Sequence, residues 1–374
     1  MTRIGTLTET KAQEYRVGLT PDSVKNLVAD GHQVWVQAGA GEGIGMADSH
    51  YEKVGARISP DAQTLFNAVE LIVKVKEPNA KERALLKSEH TLFTYLHLAS
   101  DPEQTRDLIS SNAVCIAYET VTDAAGTLPL LTPMSEIAGR VAVQEAVTHL
   151  NKHNGGLGVL IGGASGVEAE SVVIIGGGVV GSNAARIALG LGANVTILDR
   201  SVPRLAELDR QFRGRANCIL STPESVEYYV SKAAMVIGAV LIPGGKAVKI
   251  ISSDLVKKMR PGAVIADVAI DQGGCCENSR PTTHSEPTFV VDGVIHYCVA
   301  NIPGAVPRTS SQALNNATLR YVRELANKGT REALTENKHL LNGLNVCRGK
   351  LTEPHVAADL GLEYVPAEQA LAEI

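Results

Sequence analysis

The chain has 374 residues, 44% hydrophobic and 20% charged, and its 35 Lys and Arg against 40 Asp and Glu leave a formal net charge of −5. That length exceeds one ordinary hydrophobic core and implies two domains of about 150–200 residues each. The composition excludes a disordered chain, and the mildly acidic balance excludes a basic nucleic-acid-binding stripe.

No apolar run reaches the ~18 residues that span a bilayer, and the opening MTRIGTLTETK lacks the apolar segment of a signal peptide. The cysteines at 115, 218, 275, 276, 298 and 347 show neither zinc-site spacing nor the density of a disulfide scaffold. A reducing cytoplasm is the expected compartment, with no nucleic acid, membrane or metal as partner.

In chain order, β-rich runs RIGTLTE, QVWVQ, LIVKVK, TLFTYLH and AVCIAY alternate with predicted helices at 21–30, 61–68 and 102–110. That rhythm predicts a parallel α/β sheet. The first helix has Thr20 as N-cap, Pro21 at its first position and Gly31 just past its end. From 133 to 152, apolar residues at helical spacing predict a long helix that bridges two domains. A second β-α series follows in VVIIGGG, NVTILD, AAMVIGAV, AVIADVAI and VIHYCVANIP. After Pro307 the pattern is mainly helical, with too few strands for a sheet of its own. The tail is therefore expected to pack back on the first domain and make it discontinuous.

The stretch SVVIIGGGVVGSNAARIALGLGANVTILDR places Gly176, Gly178 and Gly181 in the order G-x-G-x-x-G, after a predicted strand and before a predicted helix. In that context the glycines permit a tight turn, a close approach to pyrophosphate and close helix–strand packing. Asp199, at the end of the next strand, suits the adenosine ribose hydroxyls and repels a 2′-phosphate, which favours NAD over NADP. Arg200 beside it is the one feature pointing the other way.

Ligands of open parallel sheets collect beyond the carboxyl ends of the strands. Arg16, Lys76 and His97 follow such ends in the first series and Asp271 in the second, so two cations, an imidazole and a carboxylate are expected to converge where the sheets face a cleft. Each has a plainer reading: solvated surface charges for Arg16 and Lys76, a hydrogen-bonded core histidine for His97, a turn residue for Asp271. Lys74 either supports the site or reaches solvent along its apolar stem. Glu324 and Lys328, four apart, read as a surface ion pair.

TETKAQEYRVGLTP, LIVKVKEP, LFTYLHLA, AYETV, LPLLTPMSEIAGR, the glycine fingerprint, IGAVLIPG, AIDQGGCCENSRPTTH and YCVANIPGAVPRTS together resemble the alanine dehydrogenase family over nearly the whole chain. The resemblance implies reversible NAD-dependent oxidative deamination of L-alanine to pyruvate and ammonium, in a cytoplasmic homohexamer. By motif, Arg16 and Lys76 would bind the substrate carboxylate, Arg16 in bidentate fashion, while His97 and Asp271 would serve in proton transfer. Cofactor contacts would fall on Ser135, Val179, Val180, Asp199, Arg204, Ser221, Val240, Leu241, Val268, Ala269, Asn301 and Ile302, beside Gly176, Gly178 and Gly181.

The implied fold is two doubly wound parallel-sheet domains joined by long helices. A Rossmann domain over 129–306 would lie between a substrate domain at 1–128 and its completing helical tail at 307–374. Rival readings on the same scaffold are a saccharopine-type dehydrogenase and the NAD-binding component of a proton-translocating transhydrogenase. A catalytically silent NAD-sensing or scaffold protein is the rival from another class.

Overall fold

The structure, a computed structural model, describes residues 1–240 and 247–374. The chain forms two compact units, one made of Met1–Met134 with Val306–Ile374, the other of Ser135–Ala305.

The first unit begins with β1 (Arg3–Thr6), β2 (Gln33–Gln37), β3 (Arg57–Ser59), β4 (Leu71–Val73), β5 (Thr91–Thr94) and β6 (Val114–Ala117). They run parallel in the order β6-β5-β4-β1-β2-β3. Every residue of LIV, TLFT and VCIA is buried, as expected of strands covered on both faces. Leu65, Phe66 and Leu108, from helices Ala62–Ala68 and Pro102–Ser110, pack with Ile72, Leu92 and Cys115 into one core. Thr20 caps the helix Pro21–Ala29 by accepting from Ser23 N, and Gly31 beyond it has φ +89°.

The strands stop earlier than the apolar runs suggest, because side-chain carboxylates replace the ladder. Val75 N donates to Glu9 Oε1 at 2.7 Å, and Leu96 N and His97 N donate to Glu119 Oε1 at 3.1 and 2.6 Å. Both β4 and β5 therefore end on acids from neighbouring strand ends.

The second unit opens with helix Thr132–Leu150, which crosses the boundary at Ser135. It contains β7 (Ser171–Ile175), β8 (Asn194–Asp199), β9 (Ala216–Leu220), β10 (Met235–Gly238), β11 (Val264–Asp267), β12 (Thr288–Val291) and β13 (Val294–Tyr297). Their order is β12-β13-β11-β10-β7-β8-β9, parallel except for the β12–β13 hairpin. The chain thus winds away from β7 in one direction and from β10 in the other, so the carboxyl ends of β7 and β10 form the topological switch point.

Beyond helix Pro307–Lys328 the tail adds β14 (Leu344–Cys347) and β15 (Lys350–Leu351), and β14 pairs antiparallel with β6. Both units are parallel-dominated α/β sheets with antiparallel edges. Among the described residues no helix is long and apolar enough to cross a membrane.

His296 on β13 is fully buried, stacked on Phe289 at 5.1 Å, and neither ring nitrogen has a hydrogen-bond partner among the described residues. Burial holds its pKa down at about 4, against a weaker opposing pull from Asp267. The unfolded chain takes up this proton near pH 6.5, so between the two values the unfolded form is the more protonated. Stability is complete above about pH 6.5 and falls as pH drops toward 4, by on the order of 3 kcal/mol from this one group. Urea midpoints of wild type and His296→Phe should diverge at pH 5 relative to pH 8, the wild type losing more. Parallel acid curves would contradict a neutral buried imidazole.

Candidate functional site

In the first unit, Arg16 lies on the loop between β1 and helix Pro21–Ala29. Two residues of helix Pro307–Lys328 hold that loop: Val17 N donates to Ser311 Oγ at 3.1 Å and Thr20 N to Asn315 Oδ1 at 2.8 Å. The guanidinium is 3% exposed and gripped side-on by Glu14, with Nε to Oε1 at 2.7 Å and Nη2 to Oε2 at 2.6 Å; Nη1 stands 3.1 Å from Met134 Sδ. Burial opposes its charge, but the Glu14 hydrogen bonds and charge prevail and raise its pKa. The side-on edge of the guanidinium, Nε with Nη2, is therefore already occupied by Glu14. The sequence carries no signal of this pair.

Lys74 and Lys76 follow β4 and have opposite fates. Lys74 is fully buried, with Nζ 3.2 Å from Glu9 Oε2 and 3.3 Å from Glu82 Oε1, so it does not reach solvent. Burial opposes its charge, and the two carboxylates more than compensate. Lys76 is half-buried; its carbonyl accepts from Thr94 Oγ1 at 3.0 Å, while its ammonium makes no hydrogen bond or ion pair among the described residues. Its pKa is lowered by burial and by the neighbouring Arg16 charge, with Glu77 pulling weakly the other way. An ammonium held in this state gains more than a solvated one from an arriving anion.

His97, past β5, takes a left-handed backbone at φ 49°, ψ 43° and leaves its ring 47% exposed. It is not a core histidine. Glu119, at the end of β6, fixes the turn by accepting from His97 N, and its Oε1 lies 3.8 Å from His97 Nδ1. The imidazole stacks on Tyr95, centroids 5.8 Å apart and planes 2° from parallel. Tyr95 donates to Leu130 O at 2.6 Å. A non-glycine residue held at positive φ by a buried framework is a recurrent feature of active sites. Lys76 thus lies beside the Arg16 charge, and His97 stacks on Tyr95.

In the second unit, Gly176 has φ +100°, and a Cβ there would meet Ala239 O at 2.6 Å, where the ends of β7 and β10 come together. A Cβ on Gly181 would lie 1.8 Å from Gly176 O, so helix Val179–Gly190 can sit on β7 only with glycine at that position. Gly178 is the helix N-cap and is open, with nothing within 4 Å of where a Cβ would stand. The first-turn amides after it, at Val179 and Val180, have no hydrogen-bond acceptor among the described residues and stand at the positive helix end, which fits a pyrophosphate. Asp199 Oδ2 accepts from Gly177 N at 2.7 Å and Oδ1 from Ser201 N at 2.8 Å, which fixes a carboxylate at the end of β8. Arg204 donates through Nε to Gly177 O at 2.8 Å and pairs with Glu207 at 2.7 Å.

The remaining cofactor candidates follow strand ends on the same edge of this sheet: Ser221 after β9, Val240 after β10, Val268 and Ala269 after β11, Asn301 and Ile302 after β13. Ser135 lies in helix Thr132–Leu150, and Leu241 falls outside the described residues. Asp271 lies in the short 3-10 turn Val268–Gln272 after β11 and is exposed. Glu324 and Lys328 do form their ion pair, at 3.2 Å.

Sequence reasoning missed Glu14, Tyr95 and Glu119. Glu119 was within reach, since it directly follows an apolar strand, the criterion that selected His97. Glu14 carried no such signal, because a loop acid two residues from an arginine is commonplace.

Two family models match, the alanine dehydrogenase/PNT N-terminal domain over residues 5–138 and the C-terminal domain over 142–354. The chain is 56% identical over 359 residues to an alanine dehydrogenase of Halomonas elongata, covering 96% of this chain and 97% of that protein. It is 51% identical to one of Methanococcus maripaludis, covering 99% and 100%. A solved L-alanine dehydrogenase superposes with a TM-score of 0.93 at 48% identity, covering 96% of this chain and 99% of that one.

Proposed function

Because the chain belongs to the alanine dehydrogenase/PNT family, we propose that it oxidises L-alanine to pyruvate and ammonium, reversibly and with NAD. The observation that carries this is identity above 50% with alanine dehydrogenases along nearly the full length of both chains. NAD, when bound, supplies the acceptor for the hydrogen on the alanine Cα. The glycine turn, the first amides of helix Val179–Gly190 and Asp199 are the groups that would hold it, and the fixed negative charge of Asp199 disfavours a 2′-phosphate.

Lys76 takes the substrate carboxylate in this reading, and Arg16, its orientation fixed and its charge matched by Glu14, offers N–H donors beside it. Orienting the substrate in this way contributes several kcal/mol to lowering the barrier in comparable systems, roughly 7–11 at the extreme. The amine must be neutral so that its lone pair stabilises the iminium that develops at Cα. Water then adds to that carbon, and the carbinolamine collapses to pyruvate and ammonium. His97 removes and returns the protons of these steps, a task suited to an imidazole near neutral pH. Asp271 supplies the carboxylate that balances the iminium charge.

The cytoplasm as compartment and a homohexamer as assembly belong to the same proposal. Six unbridged thiols support the first, and the family resemblance supports the second.

Purified enzyme supplied with alanine and NAD should generate NADH absorbance, with serine and glycine slower and lysine plus 2-oxoglutarate inactive with NADH. Lys76→Ala should lose pyruvate reduction by about a hundredfold or more, the cost of removing a transition-state-orienting charge. An unchanged rate in that variant would take Lys76 out of substrate binding, and activity confined to lysine and 2-oxoglutarate would overturn the alanine reading.

A further inference from the structure

The charges around Lys76 do not pair off evenly. Arg16 is matched by Glu14 through two short hydrogen bonds, Lys11 by Glu77, and Lys74 by Glu9 and Glu82. The surplus carboxylate of that last group is offset in part, because burial pushes Glu9 toward its protonated form. Lys76 alone of these four cations has no carboxylate within ion-pairing distance among the described residues.

We propose that Glu14 is a specificity-determining residue: by pairing with Arg16 it leaves Lys76, among the described residues, as the one of these four cations without a carboxylate, so that the site accepts monocarboxylates and rejects dianions of the same size. This rests on the assignment of Lys76 and Arg16 to the substrate carboxylate.

The physical reason is the cost of burying net charge. A monoanion such as pyruvate, or alanine with a neutral amine, gives a partner to the one of these ammonium groups that lacks a carboxylate. A dianion brings a second charge with no partner, and its desolvation goes uncompensated. Size cannot make this distinction between isosteres, but charge can. Glu14 also takes up the side-on edge of Arg16, the fork that would otherwise receive a second carboxylate.

Oxamate and oxalate test the idea, since both are planar and close in size to pyruvate, the first a monoanion and the second a dianion at neutral pH. Each is titrated as a competitor of pyruvate in NADH-dependent reduction by the full-length enzyme. Wild type should bind oxamate at least about tenfold more tightly than oxalate, the scale of one unpaired buried charge. Glu14→Gln adds one positive charge and loosens the Arg16 fork, so the ratio should move toward oxalate by about tenfold or more.

Equal wild-type affinity for the two probes would overturn the inference even if the single variant proved insoluble. A ratio unmoved by Glu14→Gln, with both probes still competitive, would overturn it while leaving the substrate assignment standing. Failure of both probes to compete with pyruvate would instead remove that assignment, and this inference with it.

Discussion

Replacing His97 by Asn, or Asp271 by Asn, is expected to lower turnover by about a hundredfold to ten-thousandfold, the usual contribution of a positioned acid–base group, while NADH binding is retained. Asparagine is the informative substitution at His97, because that residue sits at φ 49°, a left-handed conformation Asn adopts with little strain. Alanine there would mix lost chemistry with lost turn geometry. The backbone N–H to Glu119, which holds the turn, survives either change. The groups proposed to cradle NAD stand on the other unit, at Gly176–Gly181 and Asp199, so NADH fluorescence titration should give dissociation constants within a few-fold of wild type for His97→Asn. Turnover close to wild type would remove His97 from proton transfer, or Asp271 from balancing the iminium charge.

The second large effect is on stability. Lys74→Met is expected to destabilise the first unit by about 3–5 kcal/mol, because removing one partner of a buried ion pair leaves the other charge uncompensated. Here two carboxylates would be stranded. Glu9 and Glu82 lie 3.2 and 3.3 Å from the ammonium, all three side chains are almost fully buried, and Glu9 also holds Val75 N at the end of β4. Glu82 in turn closes a capping box with Asn79 at the start of helix Ala80–Arg83. The loss should therefore reach the segment that carries Lys76. Neutralising the acids as well, in Lys74→Met/Glu9→Gln/Glu82→Gln, should recover much of it. Urea denaturation is the measurement, and a loss below about 1 kcal/mol for the single variant would mean the triad is solvated, as an exposed pair would be.

How far the fold could be read in advance varied with the range of the interactions that make each element. QVWVQ became β2 without revision, and Thr20, Pro21 and Gly31 marked the first helix because capping depends on residues a few positions apart. The β12–β13 hairpin was equally local: Asp292 and Gly293, at φ 48° and 80°, form the two-residue turn that Asp-Gly favours. That signal was present and went unread. β9 was hidden by its edge position, where ANCIL mixes polar and apolar residues without a clean period. β14 lay within a stretch of helical pattern, and its partner β6 is more than 200 residues away in the chain.

The site divides in the same way. Backbone chemistry along one strand-turn-helix determined the nucleotide turn, since Gly176 and Gly181 must be glycine for reasons of φ and of a 1.8 Å approach that any side chain would violate, and such demands are written in a few consecutive residues. Which polar residues follow strand ends was likewise a property of the sequence, and so were Arg16, Lys76 and His97 as candidates. Only the tertiary structure decided what each of them faces: that Arg16 spends its side-on edge on Glu14, that Lys74 is buried between two acids while Lys76 pairs with none among the described residues, and that Glu119 sets the backbone of His97. Charge pairing depends on distance in space and on exclusion of water, and a linear order of residues specifies neither until the sheet has brought its strand ends together.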